Sequence, residues 1–122
     1  LGVAIDYLHE IGIEDISLYC NELKIYLDEA LCNIPGITIY GQSPDKGATT
    51  CFNIKDIHPF DFAKMLDLSN IAIRAGHLCA QPLMTVFNQK SMNRCSLYFY
   101  NTKDEIDLFI KEIKKIVSRL LV

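Results

Sequence analysis

The chain has 122 residues, of which 50% are hydrophobic and 22% charged, with a formal net charge of −3. This length fits a single domain with one core, and the apolar content is too high for an intrinsically disordered chain. The small negative charge and three scattered arginines argue against nucleic acid or an anionic membrane surface as a partner, and no apolar run could span a bilayer.

Two amphipathic helices open the predicted fold. Residues 1–11 carry one apolar stripe, and Gly12 is typical of the residue that ends such a helix. A second helix follows and spans roughly residues 13–32. The predicted inward positions of the two helices are Val3, Ala4, Tyr7, Leu8 and Ile11, and then Ile16, Cys20, Leu23, Leu27, Ala30 and Leu31. Because the sequence begins with Leu1, inside a helix, we expect it to be a C-terminal piece of a larger protein.

The middle of the chain predicts strands and one short helix. Segments 36–41 and 49–54 are β-branched, flank a polar turn and are expected to pair. His58-Pro59 is typical of a helix start, and segment 71–74 has the composition of a further strand. The predicted inward positions of this helix are Phe60, Ala63, Met65 and Leu66.

The last two elements have the clearest signals. Segment 95–100 alternates as a strand, and Thr102 with Glu105 forms a capping box before a long final helix. The predicted core stripe of that helix is Ile106, Phe109, Ile110, Ile113, Val117 and Leu120. This order of elements predicts an α+β fold, with a small antiparallel or mixed sheet covered by helices on one face.

Cysteine usage predicts a reducing compartment. The five cysteines form an odd set without a C-x-x-C pair, which argues against a disulfide framework and against a structural zinc site. Four of them occur at helix or strand positions where a small buried hydrophobe is the usual interpretation, namely Cys20, Cys32, Cys51 and Cys95.

The fifth cysteine lies in a connection of about twenty residues, 75–94, and long connections in compact domains are usually functional or mobile. Gly76 permits a tight turn before Cys79, and Pro82 predicts a helix that begins just after it. Arg74 and His77 place positive or protonatable groups nearby. Because helix N-termini and cations favour a thiolate, Cys79 is the best candidate for a nucleophile.

Two other interpretations of this segment were weighed. His77 and Cys79 could both ligate a metal, but the sequence offers no evident third ligand, so no metal site is predicted. Arg94 could be a surface charge, or it could form a bidentate contact with a small carboxylate.

The run from Arg74 to Met84 (RAGHLCAQPLM), with Arg94 and the following LYFYNT, resembles the C-terminal domain of cysteine desulfurases. More narrowly, it resembles the group with a short cysteine segment that serves sulfur-mobilising iron–sulfur cluster assembly. Residues 1–8, Ile34-Pro35-Gly36, His58-Pro59 and the final helix also match, so the resemblance covers residues 1–122 as one small domain.

The resemblance implies a fold-type-I pyridoxal 5'-phosphate enzyme, usually a homodimer, that converts L-cysteine into L-alanine. Cys79 matches the family's nucleophile, which keeps the sulfur as a persulfide, and Arg94 matches the arginine that binds the substrate carboxylate. Arg74 and His77 match supporting positions beside the cysteine. A dedicated sulfur-acceptor protein would then take the sulfur, in the bacterial cytoplasm or in a plastid.

Two departures from the family limit what the resemblance implies. Leu78 stands where many members have a second histidine, so no proton-handling role is assigned there. The cofactor-binding lysine and phosphate cradle belong to a large domain that this chain lacks, so the isolated chain is expected to be inactive. A non-catalytic persulfide carrier or partner-docking module and a selenocysteine lyase remain alternatives, whereas the retained Cys79 motif argues against an aminotransferase.

Overall fold

The fold is described from a computed structural model and covers residues 1–120. Within these residues, five helices and four strands follow one another in an α+β arrangement, as predicted. In chain order they are α1 (Gly2–Ile11), α2 (Ile13–Cys32), β1 (Ile37–Tyr40), β2 (Thr49–Ile54), α3 (Pro59–Asp67), β3 (Arg74–Gly76), α4 (Gln81–Val86), β4 (Met92–Ser96) and α5 (Lys103–Leu120).

The four strands form one antiparallel sheet in the order β1-β2-β4-β3. Cα partners across β2 and β4 are Phe52 with Asn93 and Cys51 with Arg94. Because side chains on a strand alternate between the two faces, Phe52 and Asn93 lie on one face, and Cys51 and Arg94 lie on the other.

The hydrophobic core lies between the sheet and helices α2, α3 and α5. Phe52 is fully buried there, and its ring meets the edges of Phe62 and Phe109, with ring centroids 5.9 and 6.3 Å apart. The other fully buried members of this core are Leu23, Leu27, Leu31, Leu66, Ile106 and Ile113. The connection that contains α4 lies on the side of the opposite face of the sheet. In this connection Met84 is buried, and the ring of Phe87 packs against the ring of Tyr40.

Two strand predictions were wrong in their bounds. The last strand runs over Met92–Ser96 and not over 95–100, because the chain turns at Tyr98, whose carbonyl accepts a hydrogen bond from Asn101 N at 3.0 Å. The side chain of Asn101 also accepts from Tyr98 N at 2.9 Å. The strand expected at 71–74 is instead Arg74–Gly76, since the ladder with β4 begins only at Arg74.

Several predicted inward positions also differ. Helix α1 has no buried residue, so its apolar stripe is exposed in the described chain. In α3, Phe62 is fully buried while Phe60 is 50% exposed, because the core-facing side of the helix carries Phe62 and Leu66, and Phe60 lies about 200° around the helix from Phe62. In α5, Ile116 is buried, whereas Leu120, near the end of the helix, is 46% exposed. None of the described helices is long and apolar enough to cross a bilayer.

Candidate active site

The thiol predicted as nucleophile lies at the tip of a tight turn between β3 and α4. The amide of Ala80 donates to His77 O at 2.9 Å, so residues 77–80 form a hydrogen-bonded four-residue turn. Its two central residues, Leu78 and Cys79, have φ values of 56° and 58°. Positive φ at both central positions is the pattern of a type I′ turn, which normally selects Asn or Gly.

Cys79 is exposed at this turn. In the part of the chain that the structure describes, no side chain forms a hydrogen bond with its Sγ atom. The helix predicted after it is present as α4, which spans six residues and has Pro82 in its first turn. The prediction that a helix begins just after Cys79 is therefore confirmed. A tight turn was expected at Gly76 alone, whereas Leu78 and Cys79 also have positive φ.

Arg94 occupies the middle of β4, between two other strands. Its Cα partners are Cys51 on β2 and Arg74 on β3, so these three side chains share the sheet face away from the main helices. Arg94 is half-buried, and its Nε atom is buried without a hydrogen-bond partner among the described residues. A buried unpaired guanidinium N–H is costly in a folded protein and is suited to an incoming carboxylate.

The two supporting residues take different positions. Arg74 is exposed at the start of β3, beside Arg94, and therefore adds positive charge to the same face. His77 is exposed, and its Nδ1 atom accepts a hydrogen bond from Cys79 N at 3.2 Å. The structure thus connects His77 to the backbone of the candidate nucleophile and places Arg74 next to the candidate carboxylate site.

The remaining thiols differ in burial and in acidity. Burial raises the pKa of Cys20, and burial together with Asp28 raises the pKa of Cys95 to about 12. Burial also raises the pKa of Cys51, against the lowering effect of the Arg94 and Lys46 charges. Cys32, expected in the core, is exposed at the last residue of α2.

Sequence reasoning missed the position of Cys51. It was assigned to the core, but it lies on the Arg94 face and is only partly buried. The alternation of side chains along a strand could have located it. Thr50 and Phe52 flank Cys51, so a strand that turns these two residues toward the core places Cys51 on the opposite face. Among residues 1–120, no three His, Cys, Asp or Glu side chains come together as metal ligands.

Solved structures of similar fold include cysteine desulfurases. The apo enzyme from Thermococcus onnurineus aligns with a TM-score of 0.90 and 30% identity, over 95% of this chain and 29% of that one. The desulfurase CsdA from Escherichia coli aligns with a TM-score of 0.89 and 25% identity, over 96% of this chain and 29% of that one. The fold is therefore that of a part of the fold-type-I pyridoxal phosphate enzymes.

The sequence places the chain more narrowly. The model of the aminotransferase class-V family matches residues 1–109, and the chain belongs to this family. A probable cysteine desulfurase of Synechocystis is 46% identical over 117 residues, and one of Staphylococcus aureus Mu50 is 47% identical over 116 residues. These alignments cover 93% and 94% of this chain, which spans 28% of the length of each relative. The resemblance to cysteine desulfurases is therefore confirmed for the part of them that this chain represents.

Proposed function

We propose that this chain is the C-terminal small domain of a pyridoxal phosphate-dependent cysteine desulfurase, in which Cys79 accepts sulfur from L-cysteine and Arg94 binds the substrate carboxylate. The observation that carries the proposal is the presence of an exposed thiol and of an unsatisfied guanidinium on adjacent parts of the chain. Cys79 lies three residues after the end of β3, and Arg94 lies on the strand that pairs with β3, with its Nε atom buried and unpartnered in the described chain.

Each residue has a defined chemical task in this proposal. Arg94 fixes the substrate carboxylate through its guanidinium, which orients the substrate relative to Cys79. The Cys79 thiolate attacks the substrate sulfur, so an S–S bond forms while the substrate C–S bond breaks and its carbon gains a proton. The net exchange converts cysteine and a thiol into alanine and a persulfide, with no external oxidant or reductant. Arg74 adds positive charge beside Arg94.

The side chains of this face fit a cofactor site that is only partly supplied by this chain. The unpaired Nε of Arg94 suits the carboxylate of a cofactor-bound amino acid, and pyridoxal phosphate, when bound, supplies the electron sink for breaking the C–S bond. Lys24 is buried but donates to Pro44 O at 3.2 Å, and Lys46 pairs with Asp28 at 2.7 Å. Neither of these two lysines is free to hold the cofactor. We propose that the cofactor lysine and the phosphate cradle belong to a large domain outside this chain.

The wider setting is proposed by analogy with the family. We propose a homodimer in the full-length protein, a dedicated acceptor protein that takes the persulfide sulfur, and a role in iron–sulfur cluster assembly in a bacterial cytoplasm or a plastid. Support for the acceptor protein comes from the exposed position of Cys79 on a turn of four residues, because a thiol on such a short segment reaches only a partner that comes to it.

Activity of the full-length protein tests this proposal. Cys79→Ser is expected to abolish persulfide formation and alanine release, while cofactor binding, read from its visible absorbance, remains. Cys32→Ser removes the other exposed thiol and is expected to leave both unchanged. Persulfide transfer that survives in Cys79→Ser would refute the assignment. The 122-residue chain mixed with pyridoxal phosphate and L-cysteine is expected to release no alanine.

Two alternatives give different results in the same assays. A persulfide carrier or docking module would take sulfur from a donor enzyme onto Cys79 and would never release alanine, in any length of the protein. A selenocysteine lyase would use the same thiol and arginine but would turn over selenocysteine faster than cysteine. Competition between the two substrates separates this alternative from the desulfurase.

A further inference from the structure

The backbone around Cys79 is held in a conformation that its own residues disfavour. Leu78 and Cys79 both have positive φ, at 56° and 58°, and neither is Gly, Asn or Asp. A left-handed conformation is unfavourable for such residues, because their Cβ atom crowds the following carbonyl oxygen. Something in the surrounding structure must therefore stabilise the turn.

The described chain supplies two hydrogen bonds for this purpose. One is the backbone bond from Ala80 N to His77 O, at 2.9 Å, which any residue at position 77 would provide. The other joins Cys79 N to the Nδ1 atom of His77, at 3.2 Å, and depends on the side chain. His77 is thus bonded to the last residue of the turn through its backbone carbonyl and to the central residue Cys79 through its side chain.

We propose that His77 is a positioning residue, whose Nδ1 atom holds the amide of Cys79 and so fixes the left-handed turn that presents the thiol. An imidazole nitrogen that accepts a hydrogen bond is unprotonated, so a neutral His77 carries its proton on Nε2. Nδ1 is therefore occupied with the backbone and does not act as a base toward Sγ. The functional meaning of this contact rests on the proposed role of Cys79, but its existence does not.

The protein contains a matched contact that serves as a control. His58 uses its own Nδ1 atom to accept from Phe60 N, two residues ahead, at 3.4 Å. There the histidine caps α3, and its backbone is extended at φ −70° and ψ 133°. The same side-chain interaction thus occurs once at an unstrained helix start and once at the strained turn.

Two substitutions of His77 separate the effect of its hydrogen-bond acceptor from the effect of its ring. His77→Asn keeps an acceptor at the δ position, whereas His77→Phe keeps a planar ring of similar size and has no acceptor. Amide hydrogen exchange at Cys79, measured by NMR on the 122-residue chain, reports the hydrogen bond directly. Because one such bond contributes about 0.5–1.5 kcal/mol, His77→Phe is expected to speed exchange at Cys79 about 2- to 12-fold.

The expected pattern is faster exchange at Cys79 in His77→Phe, a rate within twofold of the parent in His77→Asn, and no change at Cys79 in His58→Phe. Equal rates in the parent and His77→Phe, or equal acceleration in both His77 variants, would overturn the proposal. His77 is exposed, so these variants are expected to keep the fold, which the exchange of core amides in the same spectra verifies. The two proposals can fail separately. If Cys79→Ser abolishes activity in the full-length enzyme but His77→Phe does not speed amide exchange at Cys79, the proposed function stands and only the positioning role is refuted.

Discussion

Cys51 lies directly opposite Arg94 across β2 and β4, on the sheet face that also carries Arg74. Burial raises the pKa of the Cys51 thiol above its ordinary value, and the charge of Arg94 partly opposes that rise. The candidate substrate arginine is therefore coupled to a thiol that takes no part in the proposed chemistry, and this thiol can serve as a reporter of the guanidinium.

The first prediction uses that reporter. Arg94→Gln removes a charge that favours the Cys51 thiolate, so the pKa of Cys51 is expected to rise further and its alkylation at pH 9 to slow. Iodoacetamide labelling followed by mass spectrometry measures the rate at this position. Arg74→Gln is the control, and an equal effect from both substitutions would contradict a specific influence of Arg94.

The second prediction concerns the substrate carboxylate. A hydrogen bond to a charged group contributes about 1.5–3 kcal/mol, so Arg94→Gln in the full-length enzyme is expected to lower kcat/KM for L-cysteine about 10- to 100-fold. Arg94→Lys keeps the charge but not the bidentate geometry, so its kcat/KM is expected to lie between those of the parent enzyme and Arg94→Gln. Arg119→Gln, in the last turn of α5, is the control. Unchanged kinetics in Arg94→Gln would remove this residue from the substrate site.

The third prediction is a dependence of stability on alkaline pH. The pKa of Cys95 is about 12 in the fold and near 9.0 when the chain is unfolded, so the unfolded state loses this proton first as the pH rises. The contribution to stability is complete below pH 9 and is lost progressively up to pH 12, with a slope of at most about 1.4 kcal/mol per pH unit. Urea unfolding from pH 8 to 10.5 measures this slope.

Cys95→Ala is expected to flatten that decline, whereas Cys32→Ala, at an exposed thiol, should leave it unchanged. Parallel curves for the parent and Cys95→Ala would show that Cys95 is not responsible.

The fourth prediction contrasts two buried polar residues. Asn93 is fully buried, and both polar atoms of its side chain lack a partner in the described chain, whereas Thr50 donates to Asp28 at 2.6 Å. Asn93→Leu keeps the branching without the unpaired amide, so it is expected to raise the free energy of unfolding by about 1–2 kcal/mol. Thr50→Val is expected to lower it by about 1–2 kcal/mol, because Asp28 loses a donor. Chemical denaturation of both variants checks the opposite signs, and a destabilised Asn93→Leu would indicate a partner for this amide.

The fifth prediction concerns the start of α5. Thr102 Oγ1 accepts from Glu105 N at 3.3 Å, and Glu105 Oε2 accepts from Thr102 N at 3.0 Å, so the predicted capping box is present. Thr102→Ala is expected to cost about 1 kcal/mol and to lower Tm by about 3–6 °C. Ser118→Ala, which removes an exposed hydroxyl near the other end of the same helix, should change Tm by much less.

The sequence predicted the elements whose signals are local. The helices α1, α2 and α5, the His58-Pro59 start of α3 and the Thr102–Glu105 box depend on residues within a few positions of one another, and all are present. The bounds of β3 and β4 were wrong because a strand ends where its partner ends, which no local pattern records. The exposure of α1 could not be predicted either, since an apolar stripe does not reveal whether the described chain covers it.

At the candidate site, residue types were informative and geometry was not. The segment around Cys79 could be singled out, and α4 follows it as expected. The positive φ values of Leu78 and Cys79 were missed because neither side chain prefers that conformation, and only Gly76 signals it. The contact between His77 and the Cys79 amide depends on that turn, so it too is visible only in three dimensions.

Side chains along β4 alternate between the two faces of the sheet, and this alternation limits how the length of the connection that bears Cys79 can change. Arg94 and Asn93 are neighbours in the chain, yet Arg94 lies on the sheet face away from the main helices and Asn93 is buried beneath those helices. Sliding β4 by one place would exchange them, burying a guanidinium among phenylalanine rings and turning an amide outward. Insertions or deletions between Gly76 and Met92 are therefore tolerated only where the loop changes its path and the register of β4 stays the same, so that Arg94 and Asn93 keep their faces of the sheet.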